Sequence, residues 1–230
     1  RNLVRSTNRA SLWPITSISW QGPTTTTEAI VYLVEDDDAV RDSLQMVLES
    51  VGHKVAAYSR GDAFLEDFST EMAGCLVLDI RMPGMNGMEL QRQLNSRNSI
   101  LPIIFVTGHG DVPMAVEAMQ KGAVDFVQKP YREEELLGKI QQAIAADAES
   151  RAELAEKHKI VERLQELTPR EKQVMDLMIE GKANKVIAFD LDISQRTVEI
   201  HRARVMEKMG VRSLAHLVRM VMAVDENSSS

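Results

Sequence analysis

Short apolar runs alternate with amphipathic stretches between residues 30 and 130. Nearly continuous apolar runs bounded by acids, glycine or proline are typical of strands that helices cover on both faces. Such runs occur at residues 29–34, 54–58, 74–78, 102–106 and 124–127. The stretches between them carry apolar residues at helical spacing, at residues 38–51, 63–68, 88–94 and 112–121. This alternation predicts an α/β fold with a doubly wound, five-stranded parallel sheet.

A long helix is predicted after the sheet, over residues 133–167. This segment has no proline and, after Gly138, no glycine, and it is rich in alanine, glutamate, lysine and leucine. We expect Leu136, Ile140 and Ile144 to cover the sheet. Apolar positions become sparse beyond them, which predicts a helical linker at residues 146–165. The pattern is compatible both with a solvated connector and with a dimer seam.

The pattern changes to short helices alone from Thr168 onward. Thr168 is a typical N-cap, Pro169 fits the first helical position, and Gly181 is a typical helix end. Further helices are predicted at residues 184–191, 194–209 and 213–224. The predicted units are a first domain at residues 28–145, the helical linker at 146–165 and a small all-α domain at 166–224. We expect residues 1–27 to be a disordered extension and residues 225–230 a disordered tail.

Composition and charge exclude several classes of protein. The single cysteine, Cys75, rules out an intrachain disulfide framework and a cysteine-rich metal site, and it fits a reducing compartment. No apolar run approaches the roughly 18 residues that span a bilayer, so we expect a cytoplasmic protein without a membrane partner. The net charge of −7 conceals an asymmetry, because residues 28–147 hold 20 acidic and 10 basic side chains whereas residues 168–220 hold 7 and 10. Nucleic-acid contacts are therefore expected in the second half alone.

Polar and charged side chains follow four of the predicted strands. Glu35 and Asp36 follow the first strand, Asp79 the third, Thr107 the fourth and Lys129 the fifth. Ligands of doubly wound sheets bind outside the carboxyl ends of the strands, so these side chains should converge. Converging carboxylates repel one another unless a cation joins them, and hard oxygen ligands suit Mg²⁺.

A lysine and a threonine hydroxyl beside such acids suit the oxygens of a phosphoryl group. The arrangement predicts phosphoryl transfer with Asp79 as the carboxylate nucleophile. Any one of these acids taken alone is better explained as a helix N-cap or a solvated loop charge. All five positions fall at the correct strand ends, however, and this agreement favours the phosphoryl-transfer site.

The predicted helix at residues 194–209 has two different faces. Val198, Val205 and Met209 can face a core together with Met206, whereas four basic residues project outward, namely Arg196, Arg202, Arg204 and Lys208. A short helix and a tight turn before such a helix are typical of a helix-turn-helix. The alternative is an amphipathic helix in a small bundle with a solvated face, and charge alone favours that alternative.

Motifs in both domains resemble those of two-component response regulators. Those of the first domain are Val34-Glu35-Asp36-Asp37, Leu78-Asp79-Ile80-Arg81-Met82-Pro83-Gly84-Met85-Asn86-Gly87, Val106-Thr107-Gly108-His109-Gly110 and Gln128-Lys129-Pro130. Those of the second are Leu167-Thr168-Pro169-Arg170-Glu171, Gly181, Asn184-Lys185, Ile187-Ala188, Ser194 and Arg196-Thr197-Val198. Residues 30–145 thus resemble a flavodoxin-like receiver domain, and residues 166–222 resemble the helix-turn-helix of the LuxR/FixJ class. The stretch at 107–116 points to the FixJ subgroup.

The resemblance implies that Asp79 accepts a phosphoryl group from a histidine kinase. It also implies the metal ligands: Asp36 would bind Mg²⁺ directly, Glu35 would bind it through water, and the backbone carbonyl of Arg81 would complete the protein ligands. Many family members have aspartate at the position of Glu35, so the affinity for the metal can differ here.

The resemblance further implies a conformational switch. Thr107 and Lys129 would bind the phosphoryl oxygens, and Phe126 would move inward as Thr107 moves toward the phosphate. Phenylalanine in place of tyrosine at position 126 removes a hydroxyl, which leaves packing to carry that part of the switch. Phosphorylation would then bias the face formed by helix four, strand five and helix five, with homodimerisation as the expected result.

The resemblance also implies that the C-terminal domain binds promoter DNA. The candidate DNA-contacting residues are Lys185, Ser194, Arg196, Thr197, Glu199, His201, Arg202, Arg204 and Lys208. Glu199 and Ala203 stand where some relatives place lysines, so a base preference cannot be transferred. The modest positive charge of this half predicts weak binding by one module and dimers on two half-sites. RNA polymerase is a further partner that such a regulator implies.

The expected function is that of a phosphorylation-dependent transcriptional regulator, an activator by its FixJ-like features, and not of an enzyme. One alternative is a DNA-binding protein that keeps the receiver fold but does not depend on phosphorylation. The other is a phosphohydrolase with Asp79 as its nucleophile. Haloacid-dehalogenase-like phosphatases usually place a second acid two residues after the nucleophile, however, and Arg81 occupies that position here.

Overall fold

The computed structural model describes residues 28–108 and 112–225. The predicted extension at 1–27, the motif residues 109–111 and the tail beyond Asp225 lie outside the described residues. The strands are β1 (Ile30–Val34), β2 (Lys54–Tyr58), β3 (Gly74–Asp79), β4 (Ile103–Thr107) and β5 (Asp125–Gln128). The helices are α1 (Asp38–Ser50), α2 (Gly61–Asp67), α3 (Gly87–Ser96), α4 (Val112–Gln120), α5 (Glu133–Gln165), α6 (Pro169–Ile179), α7 (Asn184–Asp190), α8 (Gln195–Lys208) and α9 (Leu214–Asp225).

The five strands form one parallel sheet in the order β2-β1-β3-β4-β5. This arrangement confirms the predicted doubly wound α/β fold. Strand β4 begins at Ile103 and includes Thr107, one residue later at each end than predicted. Thr107 belongs to the strand because it pairs with Gln128, and its carbonyl accepts a hydrogen bond of 2.7 Å from the N–H of Lys129. The sheet therefore fixes the backbone of both predicted phosphoryl-binding residues.

Two apolar layers cover the sheet. One is centred on Phe64, Leu78, Leu90 and Phe105, and the other contains Leu48, Val77, Ile104, Leu136 and Ile140. The central strand β3 is buried along its whole length. Such complete burial explains why β1, β3 and β4 read as nearly continuous apolar runs. Leu136 and Ile140 are buried and Ile144 packs against the same layer, as predicted.

Helix α5 runs for 33 residues without interruption and contacts both halves of the chain. Near its middle, the Oδ2 atom of the buried Asp147 accepts hydrogen bonds from the Gly74 N–H and from Arg151 Nε, each at 2.8 Å. The Arg151 guanidinium also donates to the carbonyls of Thr70 and Met72. At the end of the helix, Ile160 is buried in the C-terminal core. Both ends of the predicted linker at 146–165 are thus packed, and the exposed part lies between them.

The C-terminal helices share a separate apolar core. Val174, Met178, Val198, Val205 and Met209 are nearly or fully buried in it, as the two-faced pattern predicts for the last three. The apolar faces of these short helices meet in this core, because no single helix could bury its apolar residues alone.

A buried ionic contact joins the first and third helices of this bundle. Glu171 closes a capping box with Thr168 at the start of α6, and its Oε2 atom also accepts a hydrogen bond of 2.7 Å from Lys208 Nζ. Lys208 Nζ donates a second hydrogen bond, of 3.0 Å, to the Glu166 carbonyl. The Lys208 ammonium, and after it the Thr168 N–H, lowers the pKa of Glu171 to about 2. The start of α6 and the end of α8 are therefore held together.

None of the helices within residues 28–108 and 112–225 combines the length and the apolar character needed to cross a bilayer. Even α5, the longest of them, carries charged residues throughout.

Replacement of Asp147 by alanine is expected to lower the free energy of unfolding by about 2 kcal/mol, since it leaves the buried Gly74 N–H without its acceptor and the Arg151 guanidinium without its carboxylate. Urea denaturation of the whole chain measures this difference. Glu149→Ala, at an exposed position of the same helix, is the matched control and should leave the midpoint unchanged. Equal midpoints for the two variants would contradict the proposed contribution of Asp147.

Replacement of Glu171 by glutamine is expected to cost about 2 kcal/mol of stability at pH 7. Because the pKa of Glu171 falls from an ordinary 4.5 to about 2 on folding, the carboxylate contributes fully above pH 4.5, and this contribution is lost as the pH falls toward 2. Urea titrations at pH 7 and pH 3 should therefore show a smaller gap between native chain and variant at the lower pH. Glu207→Gln, at an exposed position of α8, should show no gap at either pH. A gap that stays constant with pH would contradict the assignment.

Candidate functional site

Three carboxylates meet at the carboxyl edge of the sheet, where the sequence predicts them. Glu35 and Asp36 follow β1, and Asp79 is the last residue of the neighbouring strand β3. One carboxylate oxygen from each lies within 4.8 Å of the others. Glu35 is 2% exposed and Asp79 is 9% exposed, so two of the three negative charges are largely shielded from water. Without a cation, this proximity would be strongly unfavourable.

Lys129 supplies a positive charge to this carboxylate cluster. Its Nζ atom lies 2.8 Å from Glu35 Oε2 and 3.2 Å from Asp79 Oδ2. Burial alone would lower the pKa of Lys129, but the hydrogen bond and charge of Glu35 and the charge of Asp79 outweigh it and raise the pKa above its ordinary value. Burial also raises the pKa of Glu35, with Lys129 opposing that rise. The ammonium therefore remains charged and neutralises part of the cluster.

The donor set of the cluster suits a divalent cation. Three carboxylates offer hard oxygen ligands from two loops, which is the set that Mg²⁺ takes when it keeps several waters and a phosphate oxygen. Lys129 compensates only part of the negative charge of the three carboxylates. The cluster therefore remains negatively charged. Glu35, Asp36 and Asp79 therefore fit the predicted metal site.

The loop after Asp79 is held close to the end of its strand. The Gly87 N–H donates to the Ile80 carbonyl at 3.0 Å, and a Cβ atom on Gly87 would lie 2.4 Å from the Asp79 carbonyl oxygen. Glycine at position 87 is thus required for α3 to begin this close to β3. The Arg81 N–H donates to Asp79 Oδ1 at 3.2 Å, which orients the carboxylate.

The two predicted switch residues lie on the adjacent strands β4 and β5. Thr107 is fully buried, and its hydroxyl donates a hydrogen bond of 3.0 Å to the Gly108 carbonyl. Phe126 is half-buried at the edge of the core and stands beside Phe105 in the strand register. The remaining motif residues at 109–111 lie outside the described part of the chain.

Arg41, a basic residue beside the acids, was not predicted from the sequence. The Arg41 Nη1 atom donates a hydrogen bond of 3.0 Å to the Glu35 carbonyl, and Nη2 lies 2.5 Å from Asp38. Arg41 thereby ties the acidic loop to α1. The sequence signal was an arginine one turn into the helix that follows the acids, at a position where helical spacing returns its side chain toward them.

Helix α8, which carries most of the predicted DNA-contacting residues, presents a solvent-exposed face. Ser194 caps it by accepting a hydrogen bond from the Thr197 N–H, and the two hydroxyls lie 2.8 Å apart. Arg196 is 83% exposed, and its nearest acid, Glu199, is 3.7 Å away and half exposed. These four residues share the beginning of the helix, which is the part that reaches base edges in helix-turn-helix proteins.

The other predicted DNA-contacting residues differ in their placement. Lys185 on α7 and Arg204 on α8 are exposed, whereas His201 and Arg202 are half-buried. The Nδ1 atom of His201 is buried and has no hydrogen-bond partner within the described residues. The Lys208 side chain is 32% exposed, and its ammonium is bound by Glu171 and by the Glu166 carbonyl.

The end of α8 receives a further contact that sequence periodicity did not reveal. Arg163, on α5, donates a hydrogen bond of 3.2 Å to the Met209 carbonyl and lies against Gly210, whose φ of +66° ends the helix. A positive charge at a helix C-terminus is favourable, since the free carbonyls there carry partial negative charge. Helix α5 thus helps to hold α8.

Comparison with protein families identifies both parts of the chain. Residues 31–141 match the response regulator receiver domain, and residues 165–221 match the bacterial regulatory proteins of the luxR family. The first match includes the carboxylate cluster and Lys129. The second includes α6 to α8 and most of α9.

Relatives with both parts are similar over most of their length. The response regulator protein TodT of Pseudomonas putida is 44% identical over 191 residues, which cover 83% of this chain and 84% of TodT. The transcriptional regulatory protein FixJ of Bradyrhizobium diazoefficiens is 45% identical over 197 residues, which cover 86% of this chain and 96% of FixJ.

Solved structures extend the likeness to three dimensions. The response regulator StyR, at 44% identity, superposes with a TM-score of 0.79 over 85% of this chain and 98% of StyR. Full-length FixJ from B. japonicum, also at 44% identity, superposes with a TM-score of 0.54 over 87% of this chain and 99% of FixJ. The carboxylate cluster, the helix-turn-helix and these relatives lead to one assignment: the chain belongs to the two-component response regulators that join a receiver domain to a LuxR-type DNA-binding domain.

Proposed function

We propose that this protein is a phosphorylation-dependent transcriptional regulator that accepts a phosphoryl group on Asp79 from a histidine kinase and then binds promoter DNA as a dimer. The observation that carries the proposal is the contact of Lys129 with both Glu35 and Asp79 at the carboxyl edge of the sheet. It combines a nucleophile, a cation for phosphoryl oxygens and a set of metal ligands within one cluster.

In the proposed reaction, a carboxylate oxygen of Asp79 attacks the phosphorus of a phosphohistidine. A P–O bond forms, the P–N bond breaks, and the leaving imidazole takes up a proton. The Arg81 N–H holds the other Asp79 oxygen, Oδ1, and so orients the carboxylate for the attack. Lys129 is already within 3.2 Å of Asp79 and can transfer its hydrogen bond to a phosphoryl oxygen.

We propose Mg²⁺ as the cofactor, held by the carboxylates of Asp36 and Asp79 and the backbone carbonyl of Arg81, with Glu35 holding it through water. The support is that three hard oxygen donors lie within 4.8 Å of one another. When bound, the ion would neutralise charge on the phosphoryl oxygens. Lys129 and the Arg41 contact to the Glu35 carbonyl keep the acidic loop in place.

The proposed switch depends on the Thr107 hydroxyl. In the unphosphorylated chain this hydroxyl donates to the Gly108 carbonyl. A phosphoryl group on Asp79 offers a stronger, charged acceptor, so we expect the hydroxyl to turn toward it. Phe126, half-buried on the neighbouring strand, would then move inward and fill the space beside Thr107.

Homodimerisation is proposed to use the face formed by α4, β5 and α5. Val116, Met119 and Val124 expose apolar side chains on this face, at 48%, 37% and 45%. Asp125 and Lys139 form an ion pair of 2.5 Å beside them. Apolar centres with charged edges are typical of protein interfaces.

DNA binding is proposed to use the exposed face of α8, with Arg196, Thr197 and Glu199 at base edges and Arg202 and Arg204 at phosphates. Residues 168–220 hold 10 basic and 7 acidic side chains, so one module neutralises few phosphates. Binding to two half-sites by a dimer would compensate for this weakness.

We further propose activation, with RNA polymerase as a partner, and action in the cytoplasm. A regulator is favoured over a phosphohydrolase because Arg81 replaces the second acid that such an enzyme needs.

Acetyl phosphate with Mg²⁺ is expected to tighten DNA binding by the native chain by about 5- to 150-fold, and Asp79→Asn should abolish this effect. The reason is that asparagine fills the same space but offers no nucleophilic carboxylate. Fluorescence anisotropy with promoter fragments measures the affinity, and sedimentation of the same samples measures dimerisation.

Omission of Mg²⁺ is the control for this experiment and should also abolish the effect. If the native chain and Asp79→Asn bind DNA equally well with and without the phosphodonor, the phosphorylation-independent alternative is correct. If the native chain responds but remains monomeric, the proposed dimer face is wrong.

Arg204→Ala and Lys208→Met should weaken different properties. Arg204 is exposed and is proposed to contact a phosphate, so its removal should reduce DNA affinity and lower the slope of log K against log salt by about 1. Lys208 is bound by Glu171, so its removal should leave the salt slope unchanged and lower the urea midpoint instead. Salt titrations and urea denaturation of both variants measure this contrast. A reduced salt slope for Lys208→Met would show that the lysine contacts DNA after all.

A further inference from the structure

Two side chains of α3 hold the C-terminal end of α4. Gln91 Nε2 donates hydrogen bonds to the Ala118 carbonyl at 3.0 Å and to the Lys121 carbonyl at 3.3 Å. One turn later, Asn95 Nδ2 donates to the Lys121 carbonyl at 2.9 Å. The Lys121 carbonyl thus accepts from both amides, whereas the Ala118 carbonyl, which already accepts the Lys121 and Ala123 N–H groups, gains Gln91 as a further donor.

The same end of α4 is also capped by its own backbone. Gly122, with a φ of +93°, turns the chain so that the Ala123 N–H donates to the Ala118 carbonyl at 3.0 Å. This is the usual glycine-ended helix cap. Ala118 itself is fully buried. The C-terminal end of α4 is therefore held both along the chain and from α3.

The side-chain amide of Gln91 donates hydrogen bonds through Nε2 but accepts none through Oε1 within the described residues. It is fully buried, and its Oε1 atom lacks a hydrogen-bond partner within the described part of the chain. A buried acceptor without a donor is destabilising, so an apolar side chain of similar volume would serve the core equally well. The contribution that such a side chain cannot replace is the pair of hydrogen bonds to α4.

The other end of α4 is linked to the switch residue. Thr107 ends β4, and α4 begins five residues later at Val112. A helix of 9 residues is about 13 Å long and behaves as a stiff unit on that scale. If its C-terminal end is held, a displacement that begins at Thr107 must rotate the helix about that end. Val116, nearer the start, then moves further than Met119.

We propose that Gln91, assisted by Asn95, is a positioning residue that forms the pivot for α4 in the phosphorylation switch. This inference rests on the proposed function of Asp79 and Thr107. The pivot converts a shift of Thr107 into a defined rotation of the exposed apolar face at Val116 and Met119. Without the Gln91 contacts, only the backbone cap at Gly122 and the Asn95 amide hold that end of α4, and the rotation of the face is less defined.

The test compares Gln91→Met with Gln93→Met in the full chain. Methionine fills the volume of Gln91 but cannot donate to the α4 carbonyls, whereas Gln93 is exposed on the same helix and serves as the matched control. The ratio of DNA affinities with and without acetyl phosphate is expected to fall by about 2- to 30-fold for Gln91→Met and to stay unchanged for Gln93→Met. Hydrogen exchange at the amides of Lys121, Gly122 and Ala123 should accelerate for Gln91→Met alone.

An undiminished affinity ratio for Gln91→Met, beside a responding native chain, would overturn the pivot. A native chain that does not respond to acetyl phosphate would overturn the proposed function and the pivot with it, so the two failures are distinguishable. If Gln91→Met does not fold, Asn95→Ala replaces it, because Asn95 is exposed and donates to the same Lys121 carbonyl. A lower affinity ratio for Asn95→Ala then supports the pivot, and an unchanged ratio overturns it.

Discussion

Carboxylates from two neighbouring parallel strands lie at one edge of the sheet, and Lys129 is the cation that compensates for their repulsion. Lys129 follows β5, and Glu35 follows β1, with β3 and β4 between them. Because neighbouring strands are about 4.8 Å apart, the two backbones are separated by about 14 Å, which long side chains must span. An aspartate at position 35 would be one methylene shorter. The glutamate therefore extends the acidic group toward Lys129 and allows contact at 2.8 Å.

The continuity of α5 links the parallel sheet to the C-terminal helices through packing at two places. Asp147 binds the N–H of Gly74 at the start of β3, Arg151 binds the segment before it, and Ile160 and Arg163 contact the C-terminal bundle. Between these contacts, residues 152–159 are mostly exposed. Their ion pair, Lys159 with Glu156, spans 3.7 Å, and exposed pairs of this kind contribute little. The helicity of this stretch therefore depends on the packed ends, since so short an isolated helix is marginal in water.

Periodicity and strand order account for what the sequence could predict. Buried strands read as apolar runs, helices show their spacing, and the carboxyl ends of parallel strands must share one edge. The positions of Glu35, Asp36, Asp79 and Lys129 follow from those rules alone. The ion pair of Lys208 was not predicted, because periodicity gives the face of a helix but not the partner of a long side chain. Its ammonium is bound by Glu171, 37 residues earlier in the chain.

Hydrogen bonds between residues that are far apart in the chain could not be predicted from the sequence. Asp147 binds Gly74 across 73 residues, and Gln91 binds Ala118 across 27. In the sequence, Asp147 is one more acid on a charged helix, and Gln91 is one of several polar residues on an amphipathic helix. Their burial depends on how two segments pack, and no local pattern encodes that packing. A buried polar residue is thus visible in a sequence only as an interruption of the apolar face.

Both proposed phosphoryl-binding groups already have partners in the unphosphorylated chain. Lys129 binds Glu35 and Asp79, and the Thr107 hydroxyl donates to the Gly108 carbonyl. In the proposed function, phosphorylation replaces these hydrogen bonds with new ones to the phosphoryl oxygens. It does not supply partners to groups that lack them. The free energy available to the switch is then the difference between two sets of hydrogen bonds, which is of the order of 1–3 kcal/mol. A difference of that size is large enough to change the population of a dimerising face, yet small enough for loss of the phosphoryl group to reverse it.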